Sequence, residues 1–567
     1  MSLKALNLES LQKSDLINLL IAIPAGIVAA LVTIAFRGAI SGINGLMFTD
    51  GSDITKAFSE YPRIVWPVIT TAGGVIAGFI LLWALRYESK HGKMPDYLDV
   101  IDRRLPGIPV VSTLLRGFSS LASIASGGSI GREGAMVQLS ALSGSLLGRF
   151  SRFQGVHQSD IIAMAAAGGL AAVYHAPFAG ALFVAEIAFG VTAVQRLIPL
   201  FISASVAVLT VRSLTDYAPL YLYSSVSFSP SFGAIFTVLF IGVATGILGP
   251  LFISSIDKVR DWMKPISHPA LRLGLGGLGV GLVAMISPLV LGNGFEVIDL
   301  ILNNGDLQTS LLMLLVLKIV ATAITIGSGA VGGLFTPSLL IGAAGGALVC
   351  TFLQWLGFDP GPVGLYAAIG MSALLAATSH APLMSIMMAF EMTLNSSLLF
   401  PLMLATAISY VVASRLKVGG TYPVLARHNA RFAAKNAFEY STVASLITPC
   451  SKMYVDATLS EVVSEGLKQR TRYVYVVDRE ERFLGVVPTN VVASGIIDGS
   501  LKAGSAIDPF IEQEFTTLFQ HASYEQAWAM FSNSPLERLP VLENAESRRL
   551  LGVITKAALL NKAKDFL

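Results

Sequence analysis

The chain has 567 residues, 53% of them hydrophobic and 13% charged, with a mean hydropathy of +0.67. A soluble globular protein carries about 25% charged residues, so an ordinary cytosolic enzyme is excluded. The formal net charge of +3 is too small to point to a nucleic-acid partner, and Cys350 and Cys450 form neither a disulfide framework nor a metal-ligand cluster. The charges are unevenly spread. From Arg427 onward they make up roughly 23% of residues, and before it roughly 10%. A membrane-like body of residues 1–426 is therefore followed by a soluble-like tail.

Along the chain, the uncharged runs Leu16–Phe36, Ile64–Leu85 and Phe232–Ile256 are long enough to cross a hydrocarbon core, which takes about 20 helical residues. The first lacks a small-x-small cleavage site after it and reads as a retained span. Gly134–Gly148 and Leu197–Val211 lie between charged residues and look too short to span upright. From Ile319 to Phe390 there is a single charge, Asp359, so several membrane segments must lie there. Glycines and prolines interrupt these stretches, which predicts broken helices whose ends lie within protein or an aqueous cavity.

An internal repeat supports that architecture. Leu170–Glu186 reads LAAVYHAPFAGALFVAE and Leu375–Glu391 reads LAATSHAPLMSIMMAFE, at an offset of 205. Gly128–Gly134 and Gly329–Phe335 share a glycine pattern at an offset of 201. Two halves are expected, roughly 15–215 and 230–426, as in repeat-built transporters with their site at the repeat interface.

The segment Gly127–Gly134, GGSIGREG, sets a glutamate between glycines at the start of an apolar run. A carboxylate at mid-bilayer costs roughly 2.5–3.5 kcal/mol on insertion scales. Flanking glycines let backbone N–H groups turn toward one point, and the following helix adds partial positive charge there. Such a cradle holds an anion, and Glu133 itself can occupy it until protonated. The alternative is a packing motif with an interfacial salt bridge. Gly332–Pro337, GGLFTP, has the same glycine-then-helix pattern, with Leu334 and Phe335 as candidate amide donors. Tyr422, after the last span, is either a hydroxyl ligand or an interfacial anchor. GLGGLG at 274–279 fits a dinucleotide pattern but lies in an apolar run, where small residues serve helix packing.

GREG at 131–134, GGLFTP at 332–337 and the late Tyr422, together with both HAP elements and GNGFE at 292–296, resemble the signature elements of the CLC chloride channel and Cl⁻/H⁺ antiporter family, in its bacterial ClcB-like branch. The resemblance covers roughly Leu16–Arg427. It implies an all-α multi-pass membrane domain of inverted repeats and a homodimer in lipid with one anion pathway per subunit, in the bacterial plasma membrane. It implies Glu133 as the protonatable gate, and Arg132, Gly134, Leu334, Phe335 and Tyr422 at the chloride path. The family's serine signature lies 41 positions before that glutamate, and here the position is Gly92, in HGKMP. Gly92 can contribute backbone only, which leaves halide selectivity open. Where family antiporters carry an inner proton-accepting acid, this chain has Ile187. Glu186 and Glu391 read as helix-end charges, and Lys318 as paired with a carboxylate or a helix C-terminus.

Beyond a basic linker, 427–446, two similar units follow at 447–500 and 501–567. VYVVDREERFLGVVPTNVV and LPVLENAESRRLLGVITKAAL each hold two strands and a helix, preceded by amphipathic helices at Leu459–Lys468 and Tyr524–Phe531. They resemble a cytoplasmic α/β pair of cystathionine-β-synthase (CBS) domains. Such pairs hold adenine nucleotides through Gly-x-x-Thr-x-x-Asp. Here Pro488 and Val491 stand in the first unit, and Ala558 replaces the acid in the second, so no nucleotide cofactor is expected. The expected function is chloride transport coupled to protons. A passive channel, or a membrane-anchored sensor signalling through the tail, are the alternatives. No nucleophile-base set or metal cluster points to an enzyme.

Overall fold

A computed structural model describes residues 13–48, 54–92, 95–150, 156–190, 194–215, 220–221, 227–303, 310–416, 420–422, 424–425, 427, 438 and 441–564. The chain forms two compact units, residues 1–426 and 427–567. Of the basic connector at 427–439, only Arg427 and Phe438 fall within the described residues.

The first half of the membrane unit comprises α1 (Lys13–Met47), α2 (Ile54–Ser59), α3 (Trp66–His91), α4 (Tyr97–Arg103), α5 (Val110–Ala125), α6 (Glu133–Phe150), α7 (Gln158–Tyr174), α8 (Pro177–Phe183) and α9 (Val194–Leu214). The second comprises α10 (Phe232–Met263), α11 (Pro269–Ile286), α12 (Phe295–Leu302), α13 (Leu311–Gly327), α14 (Phe335–Trp355), α15 (Val363–Ser379), α16 (Pro382–Thr393) and α17 (Leu399–Arg415). Among the described residues, seven helices are long and apolar enough to cross a membrane. Their outer faces are apolar: Leu20 is 60% exposed, Trp83 58% and Phe232 82%. In α1 the opposite face buries Ala22, Ala25, Ala29 and Ala30, small residues that let backbones approach. An exterior this apolar is stable against lipid and unstable in water.

The segment Leu197–Val211 differs from expectation. It lies inside α9, a full 21-residue helix that includes Arg196 and Arg212. Long arginine side chains near helix ends reach the interface, so they need not end a span. The glycines of 274–279 lie in α11 and serve packing. A Cβ on Gly281 would meet the backbone nitrogen of Pro67 at 2.9 Å, and one on Gly74 would meet the Leu273 carbonyl carbon at 2.9 Å. Helices α3 and α11 thus pack backbone to backbone.

The two halves match in detail. Helices α7 and α15 both end on a histidine in the left-handed region, His175 at φ 54° and His380 at φ 57°. Each is followed by a proline-initiated helix, α8 or α16. Glu186 Oε1 and Oε2 accept the N–H groups of Leu383 and Met384 at 3.0 and 2.8 Å. Reciprocally, Glu391 accepts those of Phe178 and Ala179 at 3.0 and 2.8 Å. Glu186, just past α8, and Glu391, in the last turn of α16, each cap the N-terminus of the other helix, so the pair is antiparallel and the halves are inverted. Each carboxylate offsets a helix dipole and two orphan donors. Glu391→Ala is expected to cost ~1.5–3 kcal/mol, the range for hydrogen bonds to a charged group. A lowered melting temperature of the detergent-solubilised protein checks this.

The tail unit contains two three-stranded sheets, β1 (Lys452–Tyr454), β2 (Tyr473–Val477) and β3 (Phe483–Pro488), then β4 (Leu518–Phe519), β5 (Arg538–Leu542) and β6 (Leu550–Thr555). In each, the middle strand pairs parallel to the first and antiparallel to the third. The helices are α18 (Leu459–Gln469), α19 (Thr489–Ile497), α20 (Tyr524–Ser532) and α21 (Lys556–Lys564). Capping boxes at Thr458/Glu461 and Ser523/Gln526 start α18 and α20. The two sheets exchange lead-in segments: Thr448 pairs with Val553 and Glu512 with Val486. Arg549 and Lys452 hold Glu481 below the usual carboxylate range. Because that folded-state value is depressed, this contact stabilises the hairpin pair fully above the ordinary carboxylate pKa and is lost as pH falls below it and through the lower folded-state value.

Candidate functional site

The two glycine loops meet. Gly131 and Gly333 form an antiparallel bridge, with Gly131 N–H to Gly333 O at 2.9 Å and Gly333 N–H to Gly131 O at 2.8 Å. Directly beyond the bridge, α6 begins at Glu133 and α14 at Phe335. The approach is possible only without side chains: a Cβ on Gly134 would meet the Gly332 carbonyl carbon and Gly333 N at 2.9 Å, and one on Gly131 or Gly333 would strike the Glu133 carboxyl.

Glu133 is 1% exposed. Its Oε1 accepts the Thr336 N–H at 3.2 Å and its Oε2 the Thr336 hydroxyl at 3.1 Å. The Tyr174 hydroxyl lies 3.0 Å from the same Thr336 oxygen. The backbone amide of Phe335 also lies against the carboxylate. A negative group thus sits on the positive end of α14, where orphan N–H groups converge. The Leu334 N–H has no hydrogen-bond partner among the described residues.

Beside this seat is a cavity of about 490 Å³. Gly134, Gly332, Gly333, Leu334 and Tyr422 line it, with Asp96, Tyr97, Asp99, Arg116 and Gln138. The Tyr422 ring packs against Phe335 and Phe183, with centroids at 6.2 and 5.8 Å. Gly134, Leu334, Phe335 and Tyr422 are therefore brought together around the seat of Glu133.

Two sequence candidates are placed elsewhere. The Arg132 guanidinium turns over the Phe295 ring at 4.9 Å and does not line the cavity. Gly92 ends α3 with φ 102°, is exposed, and donates its N–H to Glu88 O at 2.8 Å. With that amide engaged and no side chain, it brings nothing to the cavity wall. The neighbouring Lys93 and Met94 lie outside the described residues. The position after Glu186, Ile187, is buried in the apolar core and titrates nothing.

Sequence reasoning passed over Thr336, which binds Glu133 through both N–H and hydroxyl. The signal was present, because a threonine at the second helical position presents both donors at a helix start. Lys318 is fully buried, and its Nζ donates to the Val290 and Gly292 carbonyls at 2.9 Å each. Val290 closes a short 3₁₀ turn, Pro288–Val290, so the ammonium caps a helical C-terminus.

Inverted repeats whose helix starts converge on one set of backbone donors define a repeat-built membrane transporter. The profile of the voltage gated chloride channel family matches residues 73–414, and that of the CBS domain matches residues 508–565. A putative chloride channel protein ClcB-like from Ralstonia nicotianae is 42% identical over 395 residues, 68% of this chain and 91% of that protein. The voltage-gated ClC-type chloride channel ClcB of an Escherichia coli strain is 36% identical over 415 residues, 71% and 97% of the two chains. Among solved structures, a slow cyanobacterial Cl⁻/H⁺ antiporter matches with TM-score 0.63 at 21% identity, covering 73% of this chain and 97% of that one. A eukaryotic CLC transporter matches with TM-score 0.60 at 18% identity, over 96% and 99%. These two likenesses show the fold. The chain belongs to the voltage-gated chloride channel (CLC) family, a class of transporters and channels and not of enzymes. It is a multi-pass inner-membrane protein with a C-terminal CBS pair.

Proposed function

We propose that this protein moves chloride across the membrane in exchange for protons, with Glu133 as the gate. The observation that carries the reading is the Glu133 carboxylate seated on Thr336 at the start of α14. Ionised, the carboxylate competes with chloride for the same donors. Protonated, it loses most of its attraction to the helix dipole and leaves. Chloride then takes the amides of Leu334, Phe335 and Thr336, and Tyr422 donates a hydroxyl from the cavity side. Each cycle of seating and release couples one protonation to the passage of the anion.

Proton coupling has relatives among solved structures: one is a Cl⁻/H⁺ antiporter and another a CLC-type fluoride/proton antiporter. Against it, Ile187 favours a passive chloride channel, as the sequence relatives are named. Reconstituted vesicles separate the two. A chloride gradient is expected to drive protons uphill. Chloride flux without proton movement would leave the channel, and no anion flux at all would end both readings.

Chloride is thus the substrate, and the functional unit is a homodimer. The carboxylates of Glu186 and Glu391 cap short helices whose second residues, Leu383 and Phe178, are exposed. A charge facing lipid is costly, and a second copy covering this face removes that cost. The CBS pair works without adenine nucleotide. Thr555 accepts the Ala558 N–H at 3.0 Å and so serves as the cap of α21, while Pro488 caps α19 without a hydroxyl. Calorimetry with ATP and AMP is expected to show no binding heat, and saturable heat would contradict this.

A further inference from the structure

Ile187 is buried and apolar, and both Glu186 oxygens are engaged by α16, so this π-helical turn, Val184–Phe189, offers no free carboxylate oxygen to the cavity. The cavity wall holds another acid. Asp96 caps α4, its Oδ1 accepting the Leu98 N–H at 2.9 Å. Its Oδ2 has no partner among the described residues, and the residue is exposed into the cavity. The same α4 is tied to the gate helix, because Gln138 of α6 accepts the Tyr97 N–H at 3.2 Å through Oε1. Tyr422 lies within electrostatic range of both Glu133 and Asp96. At about 30 Å³ per water, the cavity has room for on the order of ten waters, enough for a continuous proton-conducting chain.

We infer that Asp96 is the inner proton acceptor of this transporter, standing in for the acid absent at Ile187. This rests on the proton-coupled reading above. A hydronium ion from the cavity mouth gives its proton to Asp96 Oδ2, leaving water. Asp96 then returns to carboxylate as the proton passes along cavity waters to the Glu133 carboxylate, once that group has left Thr336. Among the described residues, the charged groups facing Asp96 are Asp99 on the same helix and Arg116 from α5. The Arg116 guanidinium is held by a bidentate pair with Glu88 at 2.8 and 3.0 Å, and Glu88 offsets its charge. Asp99 adds negative charge, which favours holding a proton at this mouth.

The test is paired chloride and proton flux in vesicles for wild type, Asp96→Asn and Asp96→Glu. Asparagine caps a helix as well as aspartate, so α4 is preserved. Asp96→Asn is expected to cut proton flux at least tenfold while chloride flux stays within about threefold, because Glu133 still takes up and returns protons on the side away from Asp96, and Asp96→Glu to keep coupling. Wild-type proton coupling in Asp96→Asn would overturn the proposal alone. Equal loss of both fluxes would assign Asp96 a structural role and also overturn it. A wild type that moves no protons would remove the proposal together with the coupling reading.

Discussion

Glu133→Gln is expected to keep chloride flux and to lose both its pH dependence and any proton movement. The carboxamide carries no charge, so it forfeits the attraction that seats the carboxylate on α14. Its one oxygen can still accept the Thr336 N–H, but the second carboxylate oxygen, which accepts the Thr336 hydroxyl, is replaced by an N–H₂ group in a site that is 1% exposed. A charge-assisted hydrogen bond is worth about 1.5–3 kcal/mol, and losing it shifts seat occupancy toward chloride by roughly one to two orders of magnitude. Proton flux should fall to the leak of empty vesicles. A steep pH dependence surviving in this variant would remove Glu133 from the gate.

Lys318→Met is expected to have the largest effect on stability. The methionine fills similar volume but leaves the Val290 and Gly292 carbonyls without their donor, inside protein where water cannot replace it. Each buried acceptor left unsatisfied costs about 1–3 kcal/mol, and two are left here. The loop that loses its anchor also receives the Gly127 contact, since Gly292 N–H donates to Gly127 O at 3.2 Å. Through Gly127 the disturbance reaches the segment that presents Glu133. A melting temperature lowered by several degrees, with reduced chloride flux per folded molecule, is the expected outcome. Unchanged stability would mean that the carbonyls find other donors.

Local sequence carried much of the fold. Glycine-then-helix spacing located both helix starts of the site, and the repeated HAP elements marked inverted halves. The glutamates 11 residues after each histidine read as helix-end charges, and each caps the other half's helix. What local pattern could not carry is where distant segments meet. The partner of Lys318 is a pair of carbonyls made by a turn 26–28 residues earlier. Gly92 aligns by counting, yet the end of α3 directs it away from the cavity, and Asp96 lines the wall in its place. Leu197–Val211 misled because its flanking arginines looked like span limits, whereas α9 runs through both.

The central claim is that one set of donors holds either the Glu133 carboxylate or chloride. Calorimetric titration of the purified protein with chloride, repeated at one pH in buffers of different ionisation enthalpy, measures the protons taken up per anion bound. Net proton uptake on chloride binding is expected in the wild type and none in Glu133→Gln. Chloride binding that takes up no protons in the wild type, at any pH where Glu133 is ionised, would contradict it.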